Sequence, residues 1–265
     1  MTPLRRKLLE WLGVLAFYFF CLFVFFRLTF PYDTLKERIV SEFNASQKER
    51  RLEIDDLSGH FFFGVEAEGV RLTSTAVVPS EGDEKKAPDS LSLDRLTLGV
   101  SLFSYLFGTV HVDYSAELGG GEIDGSFEQS DTEAHLVVHG QDVDISGLTM
   151  LSGAVGLPLG GVLTGDVELN LPERKMQKAE GKFELTITEL TVGDGKAKIR
   201  NAIALPKLSA GDLTLKADVV TGRMDITEFA ANGPDFEMNA TGKVRLREPF
   251  ERSAADLEVG FKFKE

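Results

Sequence analysis

The chain has 265 residues, 27% of them charged, with a net charge of −13 at pH 7, one cysteine and 20 phenylalanines. Residues 1–27 hold four basic residues against one acid, so the remainder carries about −16, which repels nucleic acid and anionic membrane surfaces and favours basic protein partners. Cys21 lies in the apolar front of the chain, so the rest forms no disulfide and is stabilised by packing and strand pairing alone.

From Trp11 through Phe26 there is no charged residue, and the apolar character resumes after Arg27 up to Phe30. About 20 such residues suffice for a bilayer-spanning helix, and Pro31 ends it. Arg5, Arg6 and Lys7 put the basic excess on the N-terminal side, which predicts a cytoplasmic N-terminus. A cleaved signal peptide needs small residues before the cut, and Val24-Phe25-Phe26-Arg27-Leu28 offers none. Residues 1–30 therefore read as a basic tip and an uncleaved membrane anchor, carried by Trp11, Phe17, Phe20, Phe23 and Phe26.

Residues 31–50 read as a juxtamembrane helix and linker. Asp33 or Thr34 is the expected cap, and Leu35, Ile39 and Phe43 fall at i, i+4, i+8, which predicts a docking face. The period then changes to two. Leu52 and Ile54 alternate with Glu53 and Asp55, and Val65 and Ala67 with Glu66 and Glu68, so a β-rich domain is predicted over 51–265. Residues 79–90 contain a stretch without apolar content and read as a mobile surface loop. Leu91 to Leu98 resume a strand, Leu102, Phe103, Leu106 and Phe107 predict a short helical turn, and Gly119-Gly120-Gly121 predicts a strand turn. Ser146 is the expected cap of a short helix reaching Val155.

In the second half Phe183 and Leu185, Leu213 and Leu215, Phe236 and Met238, and Phe261 and Phe263 each sit on one face of an alternating strand. No helical crossover separates these strands, which predicts antiparallel neighbours in a meander with one dry and one wet face. The fold class is thus mainly β: an N-terminal transmembrane helix, then an elongated, curled antiparallel sheet with a few short covering helices. Two readings of the eight apolar residues stay open, a filled core or an open groove. The last strand, ending at Glu265, is expected to be an edge that either a partner or further chain covers.

Enzyme chemistry finds little footing. His135 and His139 are four apart, but Ala134, Leu136 and Val138 alternate as a strand, which separates the two imidazoles by about 13 Å, too far for one ion. There is no Gly-x-Ser-x-Gly elbow, the cysteine is in the anchor, and adjacent Asp55 and Asp56 point to opposite faces of a strand. The triple glycine is followed by acidic residues, unlike a phosphate cradle. No catalytic residue, cofactor or metal is expected.

The order of several features carries a resemblance. The Phe30-Pro31-Tyr32-Asp33 exit, the Leu52–Gly59 strand, Gly69-Val70-Arg71-Leu72, the Leu102–Gly108 element and Gly160-Gly161-Val162-Leu163-Thr164-Gly165-Asp166 together resemble type II secretion system protein N, in its long deltaproteobacterial form. That family is in turn similar to AsmA-like proteins, with an anchor, a short helix and a curled sheet bearing an apolar groove. The resemblance implies a non-enzymatic accessory or scaffold of the general secretory pathway, in the bacterial inner membrane with its main domain periplasmic and other secretion-system proteins as partners. The alternative it implies is a lipid-binding or lipid-transfer protein sheltering phospholipid in the groove.

Overall fold

An unbroken apolar run has no partner for its backbone in lipid except itself, and here it forms the long helix α1 (Pro3–Thr29). The computed structural model describes residues 3–47, 49–61, 63–74, 90–149, 157–193, 198–199, 203–204, 207–248 and 252–264. Within α1, Trp11–Thr29 has a mean hydropathy of 2.1 and none of it is buried, and it is long and apolar enough to cross a membrane.

Pro31 separates α1 from α2 (Tyr32–Ser46). The expected cap is corrected here. Pro31 itself occupies the N-cap position, no side chain caps the helix, and Asp33 falls inside the first turn, where its carboxylate meets the positive end of the helix dipole. Leu35 packs against the buried trio Leu57, Ala67 and Val70. Phe43 is half-buried, whereas Ile39, expected on the same face, is exposed.

The remainder is a meander. It comprises β1 (Arg50–Glu53), β2 (Asp56–His60), β3 (Gly64–Ser74), β4 (Ser90–Val100), α3 (Leu102–Leu106), β5 (Val110–Leu118), β6 (Gly121–Gln129), β7 (Glu133–Asp144) and β8 (Leu159–Pro172). There follow β9 (Glu180–Val192), the two-residue strands β10 (Lys198–Ile199) and β11 (Ile203–Ala204), then β12 (Leu208–Val220), β13 (Arg223–Asn232), β14 (Phe236–Arg245) and β15 (Ala254–Phe263). All but β10 and β11 join one antiparallel sheet of thirteen strands, in an order that follows the chain from β3 onward. Strand is the predominant secondary structure of the described residues.

Two elements differ from expectation. The Leu52–Gly59 strand is two strands: Gly69 on β3 adopts φ +60 opposite Asp55 and interrupts the ladder without changing its register, and β1 and β2 pair with β3 on either side. Arg71 closes the gap with an ion pair to Asp55 at 2.5 Å. The helix expected from Ser146 falls partly on residues 150–156, outside the described set. Within it there is a 3₁₀ turn, Ile145–Gly147, capped by Asp144, whose carboxylate accepts from the Ser146 N–H at 2.8 Å. The loop expected at 79–90 lies outside the described residues up to position 89, and Ser90 already opens β4.

A line of bulges curls the sheet. Asp142, Gly161, Glu189 and Gly211, on four consecutive strands, all have positive φ, and the register slips beside each of them. The bend gathers Leu118, Val143, Ile145, Leu190, Leu213 and Phe236 into one core at that end, with Val143 and Ile145 fully buried. A second core at the opposite end joins Leu169, Ala179, Val219 and Leu246.

Between them the sheet carries glycine on its apolar face. Gly125 on β6 lies between Tyr114 of β5 and Val138 of β7, and the Tyr114 hydroxyl reaches across it to donate to the Val137 carbonyl at 2.8 Å. A Cβ on Gly125 would collide with that carbonyl and with the tyrosine hydroxyl. The missing side chain is what lets an aromatic ring lie flat on the sheet and tie three strands together.

Candidate functional site

The two edges of the sheet are managed in opposite ways. At the β1 edge, the Asn44 side chain of α2 acts as a substitute strand: its amide donates to the Leu52 carbonyl at 3.1 Å and its oxygen accepts the Leu52 N–H at 2.8 Å. Lys36 donates to the Asp55 carbonyl at 2.9 Å. The helix therefore satisfies backbone groups that would otherwise recruit another chain.

β15 has no such cover among the described residues. Its ten residues pair with β14 without a register slip, from Arg245↔Ala254 to Phe236↔Phe263, and all ten are exposed. No bulge twists this edge away and no proline interrupts it. Leu257, Val259, Phe261 and Phe263 form an uncovered apolar row, and the Phe263 ring meets Phe236 with centroids 6.3 Å apart.

The eight apolar residues expected to line a groove divide into three environments. Leu213 and Phe236 are buried members of the first core, so those positions are filled rather than open. Phe183 packs against the second core and Met238 against the first. Leu185 and Leu215 face each other across β9 and β12, half-buried and in neither core. Phe261 and Phe263 lie on the open edge. The set thus spans core, mid-sheet surface and edge.

The anchor residues Trp11, Phe17 and Phe20 are exposed along α1 and Phe23 is half-exposed; the side chain of Phe26 lies outside the described set.

His135 and His139 lie on β7, a strand as its alternation predicts, and each faces a carboxylate on β8: His135 Nε2 is 3.3 Å from Glu168 and His139 Nδ1 is 2.6 Å from Asp166. The Asp166 hydrogen bond, helped by the charges of Asp166 and Asp124, raises the His139 pKa against the opposing effect of desolvation. His111 Nδ1 lies 3.6 Å from Glu128, opposite it on β6, and its Nε2 3.2 Å from Asp113 on its own strand. Among the described residues no three His, Cys, Asp or Glu side chains converge as a metal site. These are cross-strand pairs on a wet face.

Two apolar surfaces escaped the sequence reading. The β2–β3 turn exposes Phe61 and Phe63, and the connection from β4 through α3 to β5 exposes Tyr105, Leu106 and Phe107. The signal was present as a run of fifteen residues, 96–110, free of Asp, Glu, Lys and Arg.

No family model, curated protein or solved structure matches the chain. The fold itself defines the class: among the described residues, one helix long and apolar enough to span a membrane, joined to one large antiparallel sheet.

Proposed function

We propose that the chain is a non-enzymatic accessory of the type II secretion pathway, held in the bacterial inner membrane by α1 with its N-terminus cytoplasmic. Its sheet stands in the periplasm and recruits a partner protein of the secretion machinery by strand addition to β15. The observation that carries this reading is the β15 edge, long, regular and exposed, while α2 seals the opposite edge. Backbone hydrogen bonds supply affinity in such a complex, and the apolar row from Leu257 to Phe263 supplies selectivity. The pathway itself is supported by the resemblance of the Phe30–Asp33 exit and the glycine-rich 160–166 segment to protein N.

A photo-crosslinking residue at Phe261, with the full chain in native membranes, tests the reading. The expected adduct contains a secretion component and disappears when Val259 is changed to Lys, which sets a charge into the row. Adducts only with unrelated proteins, in membranes where secretion complexes remain intact, would overturn it.

Leu185 and Leu215 favour a second reading, a lipid handler, because they leave an apolar strip between the two cores. Mass spectrometry of the gently purified chain decides it: copurified phospholipid lost on changing Leu215 to Lys supports it, and a lipid-free protein that binds no fluorescent acyl chain removes it.

A further inference from the structure

We propose that the two aromatic tips, the β2–β3 turn and the α3–β5 connection, dip into the interface of the same bilayer that α1 crosses. The sheet is then held at the membrane by two points instead of one. This inference rests on reading α1 as a membrane span, and the experiment below separates the two.

The direction of the chain places the tips. Contacts between α2 and the first strands run antiparallel: Asn44 meets Leu52, Lys36 meets Asp55, and Tyr32 with Arg27 meets Gly59. β1 and β2 therefore retrace α2 back toward α1, and Arg27, within the last turn of α1, lies against Gly59. The same corner forms a depression lined by Arg27, Leu28 and Pro31 on one side and Asp56 to Gly59 on the other. Phe61 lies two residues beyond Gly59, about 7 Å further along at the rise of a strand. It comes abreast of the end of the span.

The second tip is tied to the first. Gly64 pairs with Gly99, the Val100 N–H donates to the Phe63 carbonyl at 3.1 Å, and α3 begins two residues later. Phe107 is 86% exposed and Phe61 77%, the latter at φ +44, a conformation that costs a bulky residue strain and turns its ring out of the sheet.

Chemistry names the occupant. The domain is strongly acidic, so attraction to anionic headgroups does not bring it to the membrane, but both tips are free of Asp, Glu, Lys and Arg, from Leu57 to Val65 and from Leu96 to Val110. Turns at the same end of the sheet but farther from α1 are charged, with Asp131 between β6 and β7 and Glu173, Arg174, Lys175 and Lys178 between β8 and β9. Among the described residues, the exposed aromatic side chains at this end of the sheet gather in the two turns beside the anchor, while the β12–β13 turn exposes Val220. Exposed Phe, Leu and Tyr at that level match the side chains that settle about 5–10 Å into the headgroup and acyl boundary.

Trp11 is the single tryptophan and reports on the span itself. The full chain is reconstituted in phosphatidylcholine vesicles whose acyl chains carry bromine, as wild type and as W11F/F107W, W11F/F61W and W11F/V220W. Val220, exposed at the β12–β13 turn, is the comparison site. The expected result is blue-shifted emission quenched by bromolipid and protected from acrylamide at 107 and 61, with the reverse at 220. Quenching of Trp11 by bromolipid, together with acrylamide-accessible tryptophans at 107 and 61, overturns the tips alone. A Trp11 open to acrylamide overturns the membrane span, and with it the proposal. Circular dichroism of each variant confirms that the sheet is intact.

Discussion

At the scale of single residues, two side chains report on how the sheet is held. Tyr114 spans three strands because Gly125 leaves room, and burial, assisted by Asp124, raises its pKa, so the phenol stays a donor. Changing Tyr114 to Phe keeps the ring and removes one hydrogen bond, with an expected loss of about 1 kcal/mol in chemical denaturation. Gly125 to Val should cost more, on the order of 2–4 kcal/mol, since its Cβ meets backbone that cannot move without breaking the ladder. His139 gives a pH-dependent reading. Its folded-state pKa lies above the ordinary 6.5, so the pair with Asp166 stabilises the fold fully below that value and ceases to do so as pH rises through the raised one. A titration of the His139 ring by NMR should show this elevation, and Asp166 to Asn should return it toward 6.5. The pairing could not be read from the sequence, because it depends on the register that sets His139 opposite Asp166.

At the scale of elements, α2 works as an edge cover. Changing Asn44 to Ala strands the N–H and carbonyl of Leu52 in a half-buried place, and a destabilisation of about 1–3 kcal/mol is expected, measurable as faster amide exchange across β1. The alternation of Leu213 with Leu215 and of Phe236 with Met238 made β12 and β14 legible, since a two-residue period is a local property. β13 was not legible. Met224 and Ile226 alternate, then the register slips before Ala230 and the apolar phase resumes at Phe229 and Ala231, so no single period runs through the strand. A facing strand also split Leu52–Gly59 into β1 and β2, since the positive φ of Gly69 that interrupts the ladder belongs to β3.

For the whole molecule, α1 and the sheet are joined at one corner, where Arg27 and Tyr32 meet Gly59. The chain should remain in the membrane pellet through alkaline carbonate extraction, and removal of residues 1–30 should release a soluble domain with an unchanged β-type dichroism spectrum. A pelleted truncation that has kept its fold would show that the tips or the β15 edge suffice for association. The sequence by itself determined the apolar span, the mainly β class and the meander, because hydrophobic length, alternation and short turns are all written within a few residues of one another. Only the tertiary structure decided which apolar residues are core and which are surface. Leu213 is buried, Leu215 half-covered and Phe261 open although all three alternate alike, because coverage depends on where a line of bulges bends thirteen strands and on which strand is left at the edge.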